Sequence, residues 1–435
     1  METYFLFPLF GAIFVAAYVF IAIEHKSHVN KSGIAIVAGG LLWLLAALFS
    51  HDKHEISLAI TENGAEIFSI VVFLLSAMTI VEILVHYRFF DWIREKIVQK
   101  KISQAGLFWL LGGLTFILSA FLDNLTTTLI MIQIGRKIYK HQGNFLIFVA
   151  NTVIAANAGG AASPIGDVTT IMLWLANKFN AVQIISIGIV PALVTWLIPQ
   201  ALMTRKIEKH EEAEKANPEF NIVNEEKVQP FWSVIVIGIF SFLLPVIFNI
   251  IGLPPFLGLL LGVGILWIFI DIKSKHGREA FASGKVIDII QKTDITTLKF
   301  FIGILLAVGA LSHIGLLKDL NTLIFGEEIN IWRLVIGNTA LGFMSSILDN
   351  VPLVAAAIKM FPAGVSAAVW VLLALTAGVG GSMLVIGSAA GVAAMGQVKE
   401  LNFAYYLKKA SLPALLGFLG GVATWIGMYS LGLFG

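Results

Sequence analysis

Leu118-Ser-Ala-Phe-Leu-Asp-Asn124 and Met344-Ser-Ser-Ile-Leu-Asp-Asn350 are nearly the same heptapeptide, met twice in one chain. Each plants an acid and a carboxamide in the middle of an apolar stretch, the first at about 105–135 and the second at about 331–358. The likeness extends on both sides. Downstream, Gly159-Gly-Ala-Ala-Ser-Pro-Ile-Gly-Asp167 matches Gly380-Gly-Ser-Met-Leu-Val-Ile-Gly-Ser388. Upstream, Leu74-Leu-Ser-Ala-Met-Thr-Ile-Val-Glu82 matches Leu305-Leu-Ala-Val-Gly-Ala-Leu-Ser-His313. An internal repeat of this length governs how the whole chain is read.

The chain has 435 residues, of which 58% are apolar and 13% charged. A soluble domain carries about 25% charged residues, so the composition disfavours a soluble enzyme, a disordered chain and a nucleic-acid binder. The net charge of +2 by itself suggests no partner. Without cysteine there is no disulfide, thiolate metal site or cysteine nucleophile, and the redox compartment is unreadable. Apolar runs of spanning length fall at about 4–23, 33–50, 64–85, 144–176, 181–203, 229–250, 255–270, 300–317, 366–395 and 407–432. The first is expected to be retained, not cleaved: no basic segment precedes it, and Glu24-His25-Lys26 follows with no small-residue cleavage site.

Each half therefore shows three spans, an Asp-Asn-interrupted stretch, a long Gly-rich span and a final span. If the interrupted stretches are re-entrant hairpins, each half crosses five times and the second half is upside down relative to the first. If they cross, the halves are parallel. Cytoplasmic loops carry the Lys/Arg excess. The hairpin arrangement puts 23 of the 29 basic residues on one side and 5 on the other, with Lys299 at a helix start left aside. The basic clusters at 88–101 and 136–140 flank the first interrupted stretch, and a crossing helix would send one of them outside. The expected fold is an all-α polytopic membrane protein of two inverted-topology repeats. Each has five transmembrane helices, one re-entrant hairpin and a Gly-broken helix, which is a transporter layout. The first repeat covers 1–203, with its hairpin at about 105–139 and broken helix at about 144–176. A cytoplasmic linker covers 204–229. The second repeat covers 230–435, with its hairpin at about 331–361 and broken helix at about 366–395. Both termini are expected outside.

A mid-membrane charge costs on the order of 2.5–3.5 kcal/mol and marks function by default. The acids expected inside are Glu82, Asp123, Asp167 and Asp349, with His313 the histidine well inside. A hairpin arm of about 15 residues reaches roughly halfway across the bilayer at 1.5 Å per residue, so Asp123 and Asp349 are expected to meet near the midplane. Each is followed by Asn, and the first by Leu125-Thr126-Thr127-Thr128, giving the oxygen ligands that hard cations prefer. Asp is also a good N-cap for the return helix, and the two roles are compatible. Asn157-Ala-Gly-Gly-Ala-Ala-Ser-Pro-Ile-Gly-Asp167 cannot stay a regular helix. Its freed carbonyls need partners inside the protein or a cavity, and Asp167 brings a third acid there. Close helix packing explains Gly159-Gly160 but not Asp167. The second copy, Gly378-Val-Gly-Gly-Ser-Met-Leu-Val-Ile-Gly-Ser388, carries Ser388 in place of the acid, so the half-sites differ. Glu82 and His313, which are repeat mates, suit either a proton path or pH sensor or interfacial polar pairing.

At these motifs the chain resembles the NhaD-type sodium/proton antiporters of the ion transporter superfamily, which also holds arsenite efflux proteins and sodium-coupled divalent-anion symporters. The likeness rests on Ser119-Ala-Phe-Leu-Asp-Asn-Leu-Thr-Thr-Thr128, Asn157 to Asp167, Ser346-Ile-Leu-Asp-Asn-Val-Pro352 and Gly380 to Ala390, and covers almost the whole chain. The resemblance implies a homodimer in the bacterial inner membrane, with a scaffold, a mobile transport domain and elevator-type alternating access. It implies exchange of cytoplasmic Na⁺ (or Li⁺) for external H⁺, with no cofactor and no enzymatic activity. By motif match the cation and proton site comprises Asp123, Asn124, Thr126, Asn157, Asp167, Asp349, Asn350, Ser382 and Ser388, with Na⁺ at the three aspartates.

Cation exchange also follows from the residues. An empty carboxylate at mid-membrane is most cheaply kept protonated, because an unsolvated charge is costly. Na⁺ and H⁺ then compete for one site, and a carrier that reorients only when the site is filled exchanges them. The main rivals are a sodium-coupled carboxylate or sulfate symporter and a metalloid efflux permease. Both hairpin tips carry Asp, which repels a dianion. An intramembrane aspartyl protease is disfavoured by the repeat and by the lack of a Gly-x-Gly-Asp run.

Overall fold

Apolar segments in lipid satisfy their backbone groups internally, and the helix is the solution that needs no neighbour. The computed structural model describes residues 3–22, 24–27, 29–50, 52–99, 102–208, 229–275, 286–291, 293–325, 330–362 and 364–434, and these contain helices and no strand. Eight helices among them are long and apolar enough to cross a membrane, so the chain is a multi-pass α-helical membrane protein. Most of the linker expected at 204–229 lies outside the described residues.

The helices used below are α1 (Lys31–Phe49), α2 (Lys53–His86), α3 (Gln104–Ser119), α4 (Asn124–Ile138), α5 (Gln142–Gly160), α6 (Val168–Leu175), α7 (Ala181–Thr204), α8 (Ile295–His313), α9 (Ile331–Ser345), α10 (Asn350–Met360), α11 (Ala367–Gly380), α12 (Ala389–Gln397) and α13 (Leu412–Ser430). Two sequence expectations shift. The third span begins at Lys53 rather than near 64, so α2 runs 34 residues. The stretch 229–250 is interrupted at Phe242-Leu243, where Pro245 enters the next helical turn and lacks the N–H to continue the ladder.

The chain forms two compact units, and neither follows a sequence half. The first comprises Met1–Glu82, Leu243–Leu334 and Val351–Val365. Its centre is the packing of α1 on α8, where a methyl added to Gly39 would lie 2.7 Å from the Gly303 carbonyl oxygen. Small residues at such a crossing let backbones approach closely. Ser32 Oγ donates to Thr296 O at 2.7 Å, and Trp43 Nε1 to Leu306 O at 2.9 Å.

The second unit comprises Ile83–Phe242, Val335–Asn350 and Ser366–Gly435. α3 and α4 separate at 120–123, α5 and α6 at 161–167, and α11 and α12 at 381–388; the turn at 346–349 leads from α9 to α10, which from Val351 on belongs to the first unit. α5 and α11 are apolar all round and almost wholly buried, as a helix in the middle of a bundle should be. α7 and α13 pack through Gly417 and Gly421, which lie against Thr195.

Candidate functional site

The two broken segments in the second unit share their local geometry. Ser119 Oγ donates to Ala156 O at 2.6 Å, and its mate Ser345 Oγ donates to Ala377 O at 2.7 Å. Each serine thus donates to a carbonyl in the C-terminal part of the neighbouring long helix. A methyl on Gly160 would lie 2.7 Å from Gly166 O, and one on Gly381 would lie 2.7 Å from Gly387 O. Asp167 and Ser388 both cap the short helix that follows, in extended backbone. Gly and Ser recur at these positions because the chain folds back tightly on itself twice.

The side chains on this shared backbone differ. On one side Asn157, in the last turn of α5, forms the hub. Its Nδ2 donates to Ser382 Oγ at 2.8 Å and to Ser388 Oγ at 3.0 Å, and its Oδ1 accepts from Asn124 Nδ2 at 2.9 Å. Tyr406 Oη donates to Ser382 O at 2.8 Å and holds that turn in place. On the other side Asn350 Nδ2 donates to Asp167 Oδ2 at 3.3 Å, and Thr169 N donates to Oδ1 at 3.4 Å. Asp167 is 2% exposed, so its carboxylate sits out of water, with the Thr169 hydroxyl and the Val168 N–H also beside it and the charge of Asp349 acting on it repulsively. A buried carboxylate in this state is a strong attractor of a cation or a proton.

Six of the sequence-derived residues are therefore joined by hydrogen bonds in two clusters: Asn124, Asn157, Ser382 and Ser388 in one, Asp167 and Asn350 in the other. Asp349 stands next to the second cluster. Asp123 and Thr126 form a local cap, with Asp123 Oδ1 accepting from Thr126 N at 2.8 Å and Oδ2 from Thr126 Oγ1 at 2.5 Å. Glu82 and His313 belong to the other unit. There the His313 ring lies 5.5 Å from that of Trp43. Three contributors went unassigned at sequence level. Thr169 Oγ1 lies beside Asp167 and Gly378. The Ser119/Ser345 pair stood inside the quoted motif, and its recurrence was the available signal. Tyr406 had no signal, because nothing in sequence ties it to Ser382.

A polytopic helical protein whose spans break around a buried carboxylate and a carboxamide hub is a transporter rather than an enzyme. The family described as Citrate transporter matches residues 18–378. Sodium/proton antiporter 1 of Arabidopsis thaliana is 36% identical over 427 residues, covering 96% of this chain and 72% of that protein. Sodium/proton antiporter 2 of the same plant is 33% identical, covering 97% and 99%. The Na(+)/H(+) antiporter NhaD of Alkalimonas amylolytica is 34% identical, covering 95% and 89%. The chain belongs to the citrate-transporter family and, in the ion transporter superfamily, to its NhaD-type members.

Proposed function

We propose that this protein exchanges cytoplasmic Na⁺, or Li⁺, for external H⁺, with the two ions competing for the carboxylates of Asp167, Asp349 and Asp123. The observation that carries the reading is Asp167, a carboxylate buried at a helix break, where Asn350 and Thr169 donate to it at 3.3 and 3.4 Å beside a second carboxylate. Such a pair is relieved by one monovalent cation or one proton, and filling by either gives the same net charge. The neutral oxygens of Asn124, Asn350, Thr126, Ser382 and Ser388, with Asn157, complete a hard-cation environment.

The two halves are inverted repeats in this proposal, with re-entrant hairpins at 105–139 and 331–361, basic loops in the cytoplasm and both termini outside. All nine ion-site residues fall in one compact unit, as an elevator that carries its site bodily through the membrane needs. A homodimer supplies the fixed scaffold. Glu82 and His313, in the other unit, are assigned to proton movement or pH sensing.

A second reading, sodium-coupled carboxylate symport, is favoured by the description of the matching family. One assay separates the two. In everted vesicles with acridine orange, Na⁺ or Li⁺ is expected to dequench a preformed pH gradient, while K⁺, citrate and arsenite do not. The apparent KM for Na⁺ is expected to rise as pH falls, because protons occupy the same oxygens. A response to citrate that requires Na⁺, with none to Na⁺ alone, would establish the symport reading instead.

A further inference from the structure

The internal repeat pairs each residue around Asn157 with a counterpart around Asp167. Asn124 corresponds to Asn350, Ser388 to Asp167, Ser382 to Ala161, and Asn157 to Gly378. The geometry confirms the pairing at the site itself. A Cβ built on Gly378 would lie 3.0 Å from Asp167 Oδ2, 3.6 Å from Ala161 Cβ and 3.7 Å from Thr169 Oγ1. A side chain at 378 would therefore point at Asp167 and pass Ala161, just as the Asn157 amide reaches Ser388 and Ser382. In the first cluster the hub amide supplies two N–H groups and every neighbour accepts or donates. In the second the hub has been deleted down to a hydrogen, the hydroxyl of the Ser382 position has been deleted to a methyl, and an acid stands in the remaining place.

We infer that Gly378 is an affinity-determining residue of the exchange site: Asp167 Oδ2 already accepts from Asn350 Nδ2 at 3.3 Å, and by withholding a further donor Gly378 leaves the rest of that oxygen's coordination to a cation. The inference rests on the reading of Asp167 as the ion carrier. A donor at 378 would satisfy the carboxylate internally, and a hydrogen bond to a charged group is among the stronger ones a protein makes. Na⁺ would then have to displace that donor before binding. Gly378 sits in the last turn of α11, where backbone carbonyls already present their negative end. The position is therefore favourable to a cation, provided no donor is added to those of Asn350 and Thr169 already there. Helix packing alone would also select Gly here, since the added Cβ is close to Asp167. Size and donor character must therefore be separated.

Gly378→Ala and Gly378→Ser do this, because both add the same Cβ and only serine adds a donor. Na⁺-dependent dequenching is measured in everted vesicles across Na⁺ concentrations for wild type, both variants and Asp167→Asn. The serine variant is expected to show an apparent KM for Na⁺ at least tenfold above that of the alanine variant, with the two differing little in maximal rate. Equal KM values for serine and alanine overturn the inference and leave Gly378 a packing residue. Asp167→Asn addresses the underlying reading separately. If it exchanges Na⁺ like wild type, Asp167 is not the carrier, whatever the Gly378 variants do. If neither Gly378 variant transports, the Na⁺ concentration that half-maximally raises the Tm of the purified proteins decides. It is expected to be higher for serine than for alanine, and equality again overturns the inference.

Discussion

The two Asp-Asn tips begin alike and end differently. After Asp123-Asn124 comes Leu125-Thr126, and Thr126 returns both its backbone N–H and its hydroxyl to the Asp123 carboxylate. After Asp349-Asn350 comes Val351-Pro352. Proline has no N–H and no hydroxyl, so the donors that Thr126 supplies are missing at the same position of the second tip. The first acid therefore has both cap donors supplied by one residue, Thr126. The second faces Asp167, another acid. Their partners differ in the same sense, since Asn124 joins the neutral hub and Asn350 reaches a carboxylate. A near-symmetric backbone has thus been given one charge-rich and one charge-poor half. Two separate acids of full charge would each need a cation, whereas one pair of neighbouring carboxylates suits a carrier that turns over with a single filled site.

The largest effects should fall on the charge-rich half. Asp167→Asn and Asp349→Asn are each expected to reduce Na⁺-driven proton movement in vesicles by roughly 100-fold or more, the scale of removing a buried charge partner. Asp123→Asn keeps a residue that caps a helix about as well as Asp. It is expected to retain measurable exchange, with a loss of about tenfold, or about 1.4 kcal/mol in transition-state terms. Equal losses in all three variants would erase the distinction between the tips.

The hub comes next. Asn157→Ala strands the Asn124 amide and two serine hydroxyls in a buried setting, which costs about 1–3 kcal/mol per unsatisfied group. Thermal melts of the purified variant are expected to show clear destabilisation, and its apparent KM for Na⁺ is expected to move less than that of Gly378→Ser. If stability falls while affinity is untouched, the neutral half supports the site without ligating the cation.

Much of this was legible in the sequence because breaking a helix in lipid needs special residues. Gly, Pro, Ser and Asp in an apolar run are conspicuous, and the breaks at 120–123, 161–167, 346–349 and 381–388 contain such residues, whereas the one at Phe242-Leu243 has its proline two residues on and was not read. The pairing of Asn124 with Asn157 and of Asn350 with Asp167 was not legible, because it joins segments far apart in the chain. Asp123 shows the limit of reading by residue type: it matches Asp349 letter for letter, and only Thr126 against Pro352 tells them apart. Tyr406 and Thr169 act through a single contact each, and no periodicity marks a single contact. The division into two units was hidden for a related reason. Each unit collects pieces from both halves, and a repeat visible along the chain does not report which pieces pack together.

The smallest effect concerns how the return arms of the two tips are held. α4 ends in Arg136, which donates to the Gln397 carbonyl at the C-terminus of α12. That end of a helix attracts a cation, and the contact is a hydrogen bond as well as a charge interaction. α10 ends near Lys359, whose ammonium meets Glu66 on α2 at 2.7 Å. Both partners of this pair are partly exposed, so water and salt weaken it and its contribution is about 0–1 kcal/mol. Lys359→Gln is therefore expected to lower thermal stability slightly at low ionic strength and by nothing measurable in high salt, where the wild-type pair is already screened. Arg136→Gln is expected to cost more and to depend less on salt, because the carbonyl acceptor does not lose its lone pairs to counterions. A salt-independent loss at Lys359 would mean that its pair is shielded from solvent after all, and that the second tip is held as firmly as the first.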